Sequence, residues 1–451
     1  MSASSTQPIP GLSLNSIELL QELIRFDTSN PPGNERECIS YIRGILTQAG
    51  FETEIVARSP QRPNLITRLR GSGDAPPLLL YGHVDVVPAA AQDWRYPPFE
   101  AQIAEGCVWG RGALDMKGGI VTMLAAMMRA KAEGAKQHGP NLPGDVVLAL
   151  VCDEEAGGDY GARFLVEEHA RLFEGVRYAL GEFGGFSFPI GGKRFYPIMV
   201  AEKQVCHLRA TVRGTSGHGS LATKDGAMGR LARILDRLER VSLPVHVTPV
   251  PRDMFQAVAS HVPWPTAFAL RSLLNPKLTN VTLKLLGDKG QAFGPLLRHT
   301  VNATVVRGGQ SVNMAPGEVE LLLDGRLLPG FSPDDLLGEL KPIFQGEADL
   351  EVIHHDPGPA QPDMGLFDTL AGVLREANPQ GVPVPMLLPG STDARFFSRL
   401  GIQTYGFLPM NLPAGFQFLS AVHGVDERIP LDALTFGANA IYQVLLRFGR
   451  T

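Results

Sequence analysis

The order in which apolar residues change period along this 451-residue chain constrains its fold most. Up to about residue 152, helical and strand signals alternate. Ile17, Leu20, Leu23 and Ile24, and again Ile39, Ile42, Ile45 and Leu46, recur at helical spacing, the second set stopping at Gly50. Strand-like runs follow at 51–56, 65–69, 77–87 and 146–152, with a helix of small and apolar residues predicted from Lys117 to Ala132 between the last two. Strands that are apolar along their whole length are buried on both faces. The first half therefore predicts an α/β fold in which a mixed sheet is flanked by helices.

The pattern changes near Gln204. A strand (205–212), a helix (225–241), two strands (300–306 and 318–323), a helix (332–344) and a strand (350–354) follow in the order β-α-β-β-α-β, a ferredoxin-like unit that closes a small domain by itself. This predicts a second domain over 204–357, interrupted by a Pro-bearing insertion at about 246–298 with helix-like pieces at 254–258 and 267–274. Helical patterns at 366–377 and 431–448 return the chain to the first domain, which is thus split into 1–203 and 358–451.

Charge narrows the function classes. With 41 Lys+Arg against 46 Asp+Glu, the chain has no basic run of the kind that nucleic acid or an anionic membrane would require, so neither is expected as a partner. Its uncharged apolar stretches, such as Gly118–Met128, fall short of the roughly 18 to 20 residues that span a bilayer. The Ser- and Pro-rich segment Met1–Pro10 lacks the basic-then-apolar order of a secretory signal, and a cytoplasmic location is expected. Cys38, Cys107, Cys152 and Cys206 form no C-x-x-C pair and read as buried reduced thiols.

Three short segments concentrate groups capable of chemistry. The apolar run ending in Gly82-His83-Val84-Asp85 puts a histidine and a carboxylate two residues apart, hence on one face of a strand. His83 could ligate a metal with Asp85 orienting it, or the two could be a hydrogen-bonded strand-end pair. The Gly-rich loop Gly110-Arg111-Gly112-Ala113-Leu114-Asp115 delivers one acid just before a helix. It lacks the pattern of a phosphate cradle, and taken alone Asp115 could simply cap the helix. The triplet Asp153-Glu154-Glu155 closes a buried strand with three like charges, which calls for a cation or a raised pKa unless the turn is solvated. Adjacent glutamates also allow Glu155 to ligate while Glu154 moves protons. Glu182, His218 and His423 are further candidates. The other eight histidines, among them His138, His246 and His299, have no such setting.

Taken in this order, Gly82-His83-Val84-Asp85, Gly110-Arg111-Gly112 through Asp115-Met116-Lys117-Gly118-Gly119, Asp153-Glu154-Glu155 with Gly157-Gly158, Glu182, Gly217-His218-Gly219-Ser220 and His423 resemble one family over nearly the whole chain. It is the family of dinuclear zinc amidohydrolases that includes aminoacylase, carboxypeptidase G, acetylornithine deacetylase and succinyl-diaminopimelate desuccinylase. The resemblance implies two Zn²⁺ ions, with Co²⁺ or Mn²⁺ as substitutes, bridged by Asp115. One ion would be completed by His83 and Glu182, the other by Glu155 and His423. It further implies that Asp85 holds His83, that Glu154 is the general base, and that the peptide bond after Asp115 is cis. The 204–357 domain would be a lid through which a homodimer forms, with His218 supplied across the dimer to stabilise the oxyanion. Arg395, Asn313 and Arg326 match positions that bind the substrate carboxylate.

The insertion, the segment Gly390-Ser391-Thr392-Asp393-Ala394-Arg395 and the segment His423-Gly424-Val425-Asp426-Glu427 are more similar to carboxypeptidase S and the N-acyl amino acid hydrolases. The expected activity is hydrolysis of a small-molecule N-acyl amino acid or short peptide beside a free carboxylate. The alternatives are a biosynthetic deacylase acting on acetylornithine or a succinylated diamino acid, and a non-catalytic ligand binder. Glu182, in Leu180-Gly181-Glu182-Phe183-Gly184-Gly185, departs most from the family's usual context.

Overall fold

The computed structural model describes residues 7–449 apart from 90–92, 137–140, 222–223, 288–289 and 291, so Met1–Thr6 and His138 lie outside the described residues. The chain divides into two compact units. The first comprises 1–200, 363–386 and 392–451, and the second 201–362 with 387–391.

The first unit opens with α1 (Ser16–Arg25), capped by Asn15, whose side chain accepts the amides of Ile17 and Glu18 while Glu18 returns a bond to the Asn15 amide. There follow α2 (Arg36–Gln48), β1 (Thr53–Ser59), β2 (Arg62–Leu69), β3 (Leu78–His83), β4 (Gln102–Ala104), β5 (Cys107–Trp109), α3 (Lys117–Lys136), β6 (Val146–Val151), α4 (Ala162–Glu168), β7 (Tyr178–Gly181), β8 (Phe188–Ile190) and β9 (Lys193–Glu202). From Gly118 to Met128 the helix α3 is apolar nearly all round and is buried as such a segment must be, and the helix touches β3 and α1.

In the second unit β10 (Gln204–Arg213), β11 (Gly217–His218) and α5 (Ala227–Arg240) precede three helices of the insertion, α6 (Pro249–Ala259), α7 (Trp264–Leu273) and α8 (Pro276–Leu286). After them come β12 (Thr300–Gly308), β13 (Met314–Ala315), β14 (Glu318–Leu327), α9 (Pro333–Phe344) and β15 (Asp349–Asp356). The four long strands form an antiparallel sheet in the order β12-β14-β10-β15. Burial alternates along β14, and its inward residues Val319, Leu321 and Leu323 pack with Leu231 and Ile234 of α5 and Leu336 and Leu340 of α9. The sequence pattern misses α8, the third helix of the insertion.

The chain closes in the first unit with α10 (Phe367–Ala377), β16 (Gly381–Leu388), α11 (Ala394–Phe397), β17 (Gln403–Gly406), α12 (Phe418–Ala421), β18 (Arg428–Pro430) and α13 (Leu431–Leu445). Its main sheet runs β1-β2-β6-β3-β7-β17-β9-β16, with β3 parallel to both β6 and β7 and β1, β2 antiparallel at the edge, which makes the sheet mixed. Leu79 and Tyr81 of β3 and Val147 and Ala149 of β6 face one core with Phe164, Phe173 and Phe397. Their neighbours along each strand face the other way, and α3 packs on β3. Helices therefore cover both faces, as the apolar strands predict. The four cysteines are buried and form no disulfide.

Candidate metal centre

The parallel register of β3, β6 and β7 sets the site. His83 lies opposite Val151, and Leu80 opposite Leu180, so these strands end at one edge of the sheet. The carboxyl edge of parallel strands is where α/β folds gather their functional groups. His83 is the last residue of β3, Asp153–Glu155 follow β6 through a 3₁₀ turn at Glu154–Ala156, and Glu182 follows β7 directly. Asp115 precedes α3, and the Asp115–Met116 bond is cis. The loop before it depends on glycine: Gly112 has φ +86°, and a Cβ on Gly118 would stand 2.2 Å from the Ala113 carbonyl oxygen.

Asp115 stands between two histidines. Its Oδ1 is 3.0 Å from His83 Nε2, and its Oδ2 is 3.0 Å from His423 Nε2. His83 Nε2 is also 3.4 Å from Glu182 Oε2, and His423 Nε2 is 3.2 Å from Glu155 Oε2. Two donor sets result, His83–Asp115–Glu182 and Asp115–Glu155–His423, the donor atoms of each within 4.8 Å of one another. Glu154 belongs to neither but lies within the same distance of His83 and Glu155.

The charges in this cluster do not balance by themselves. Burial, with Glu182 beside it, pushes Glu154 well above the usual carboxylate range, and burial likewise raises Glu182. Burial would raise Asp115 too, but hydrogen bonds to His423 and His83 hold it well below that range. Those to Asp115 and Glu155 push His423 up to about 10. Burial alone would lower His83, yet bonds to Asp115 and Glu182 carry it well above its ordinary value. Two imidazoles thus face four acids, and the buried Oε1 atoms of Glu155 and Glu182 have no hydrogen-bond partner. Orphaned acceptors and excess negative charge are what a pair of cations would satisfy, and a carboxylate and imidazole donor set suits zinc. The residues fit the implied metals.

Asp85 reaches His83 chiefly through its backbone. Its main-chain carbonyl, not its carboxylate, is 2.9 Å from His83 Nδ1, while its Oδ1 lies 3.7 Å away. The carboxylate instead accepts the amides of Glu154 (3.2 Å) and Glu155 (3.1 Å) and the Asn30 side chain (2.8 Å). Asp85 therefore fixes the turn that carries both glutamates. Asp153, in the left-handed region at φ 70°, is likewise committed to the scaffold, paired with Arg62 at 2.8 Å and accepting the Tyr160 amide.

Two buried acids escaped the sequence reading. Glu427 accepts the amides of Gly112, Leu114 and Asp115 and pairs with Arg111 at 2.7 Å. Asp393 has neither carboxylate oxygen partnered, and burial, with Glu182 and Asp85 among its neighbours, pushes it up to about 8 against the opposing pull of Arg395. Arg395 donates to the Gly157 carbonyl at 3.2 Å and lies over the Phe396 ring.

The other candidates lie in the second unit. His218 Nδ1 is 2.8 Å from Ser220 Oγ, and β11 pairs His218 with Met314, next to Asn313, whose carbonyl accepts the Gly219 amide at 2.7 Å. Arg326 pairs with Asp324 and donates to Ser391 Oγ at 2.8 Å. That unit also assembles His246, His299 and Glu339, residues the sequence left without a role. Here His299 Nδ1 accepts the Leu328 amide at 3.1 Å, so the neutral ring carries its proton on Nε2, facing Glu339. His246 Nε2 is bonded to Glu339 Oε1 at 2.6 Å, while the buried His299 Nε2 and Glu339 Oε2 have no hydrogen-bond partner.

Comparison with known proteins decides the family. Residues 79–447 match Peptidase family M20/M25/M40. The chain belongs to this family. It is therefore a hydrolase of amide or peptide bonds, and a metal-dependent one, which sets aside the non-catalytic reading. Human N-fatty-acyl-amino acid synthase/hydrolase PM20D1 is 29% identical over 388 residues, covering 82% of this chain and 73% of that protein. Pig (Sus scrofa) aminoacylase-1 is 25% identical, covering 95% and 94%. The solved M20 family metallo-carboxypeptidase from Sulfolobus solfataricus superposes with a TM-score of 0.67 at 17% identity, covering 97% of this chain and 99% of that one, and so shares the fold.

Proposed function

We propose that the chain is a dinuclear zinc enzyme that hydrolyses N-acyl amino acids with apolar acyl groups, or short peptides, beside a free carboxylate. The observation that carries this reading is the pair of donor sets sharing Asp115, with Glu154 held next to both and belonging to neither. His83 and Glu182 would hold one ion, Glu155 and His423 the other, with Asp115 between them. Zinc bound there would supply a nucleophile at neutral pH and polarise the scissile carbonyl. Glu154 would take a proton from the attacking water and return it to the leaving nitrogen. Asp85 serves this step by holding the Glu154 and Glu155 amides in place.

The roles of His218 in stabilising the oxyanion, and of Arg395, Asn313 and Arg326 in binding the substrate carboxylate, rest on the family resemblance, as does the homodimer through the 204–357 lid; the split domain boundaries rest on the sequence pattern. A cytoplasmic location rests on the sequence alone; among the described residues no helix is long and apolar enough to cross a membrane. The names of the relatives support an N-acyl amino acid substrate over acetylornithine or a succinylated diamino acid.

The test is a panel of N-acyl amino acids of increasing acyl length, dipeptides, N-acetylornithine and N-succinyl-diaminopimelate, assayed with and without a chelator. The expected result is the highest kcat/KM on an apolar N-acyl amino acid, lost on chelation and restored by zinc. A preference for acetylornithine, or turnover indifferent to chelation, would overturn the reading.

A further inference from the structure

One helix of the insertion, α8, buries threonine and exposes a row of apolar side chains. In α8 the residues facing inward include Thr279 and Thr282, both buried, whereas Leu278, Val281 and Leu285 are 44%, 57% and 83% exposed. These three sit at i, i+3 and i+7, one continuous row along the helix. In the neighbouring α7, Trp264 (73% exposed) and Phe268 (58%) stack at 5.7 Å between ring centroids on its solvent side. Isolated apolar residues on a surface need no explanation, but the α8 row, with threonines on the inner side, and the stacked aromatic pair of α7 do.

The charges around these rows select the occupant. From His261 to Gly287 the sequence contains Arg271, Lys277 and Lys284 and no acid, although the chain as a whole is mildly acidic. All three cations are exposed. Arg271 lies seven residues after Trp264 and so on the same side of α7, while Lys277 and Lys284, also seven apart, run along the rim of the α8 row. A second copy docking face to face would set these cations against their own counterparts. An anionic lipid surface matches both features, taking the apolar rows into its acyl boundary and the cations among its headgroups, with tryptophan in its preferred interfacial setting.

We propose that the outward faces of α7 and α8 form a reversible docking surface for anionic lipid. The balanced composition that argues against membrane partners averages over this local patch. The inference is independent of what the chain hydrolyses.

The experiment measures partitioning of the full chain onto phosphatidylcholine vesicles with and without about 30 mol% phosphatidylglycerol, by co-flotation and by the tryptophan emission that is lost in Trp264→Phe. The proposal expects binding roughly a hundredfold stronger on the anionic vesicles at physiological salt, as three cations near a charged surface allow, with a blue shift of the emission. Leu278→Ser with Leu285→Ser should weaken binding at least about tenfold, and Lys277→Glu with Lys284→Glu should abolish the anionic preference. All four substitutions are at exposed positions, and unchanged circular dichroism and Tm serve as the folding control. Equal partitioning on both vesicle types, binding unaffected by either double substitution, or a concentration-dependent dimer that Leu278→Ser with Leu285→Ser dissolves would each overturn it.

Discussion

Glu427 accepts the backbone amide of Asp115 at 3.0 Å, across 312 residues of sequence. The same carboxylate takes the amides of Leu114 and Gly112 and pairs with the buried Arg111, so one side chain fixes the whole loop that presents the shared acid. Glu427→Ala leaves the Arg111 charge buried and uncompensated. A loss of about 3 to 5 kcal/mol in unfolding free energy is expected by urea titration, together with weaker metal retention. A variant as stable as the parent would show that the loop is held by other means.

Glu154 lies with His83 and Glu155 but in neither set that contains Asp115, so the proposed assignment separates it from metal binding. Glu154→Gln should therefore retain the bound metals, counted by elemental analysis, and lose turnover by about a hundred- to ten-thousand-fold, the range that general acid-base groups contribute. Wild-type rates in this variant would exclude it as the base.

Sharing of Asp115 makes a stoichiometric prediction. Asp115→Asn should empty both positions, whereas His423→Ala should cost only the ion it helps to hold, a difference that native mass spectrometry resolves. Metal should also stabilise the fold, since it relieves the crowding of four acids; at a hundredfold excess over Kd the gain is about 2.7 kcal/mol for one site. A Tm indifferent to chelation would contradict this.

How far the sequence could be read depended on whether the decisive contacts are local. The strand ends carrying His83 and Glu155 are legible because β3 and β6 are continuous apolar runs, the first closing on His83 and the second leading into Asp153-Glu154-Glu155, whereas β7 is only four residues long and Glu182 is reached through the family resemblance. Alternation of side chains holds only within a strand, and β3 ends at His83, so the Asp85 carbonyl meets His83 Nδ1 at 2.9 Å while its carboxylate, 3.7 Å from the same atom, takes the Glu154 and Glu155 amides. Glu427 and Asp393 carry no local pattern: the role of the first is defined by Asp115, far away in sequence, and the second is marked only by burial. The helix α8 went unseen because its buried side includes threonine, which reverses the usual pattern.

His299 gives the second unit an acid sensitivity that can be measured apart from the metal centre. Its side chain is fully buried, and burial, aided by the facing His246 and Lys203, lowers it to about 4, with Asp335 pulling weakly the other way and Glu339 3.8 Å from Nε2. The folded pKa is depressed below the unfolded one, so between about pH 6.5 and 4 the unfolded chain binds the extra proton and stability falls as pH falls. From pH 7 to 5 this group alone accounts for about 2 kcal/mol. Asparagine at this position can keep an acceptor for the Leu328 amide but does not titrate. His299→Asn should therefore lose about 2 kcal/mol less than the parent between those two pH values, read from paired urea titrations. Equal losses in the two proteins would show that the imidazole is not held neutral in the fold.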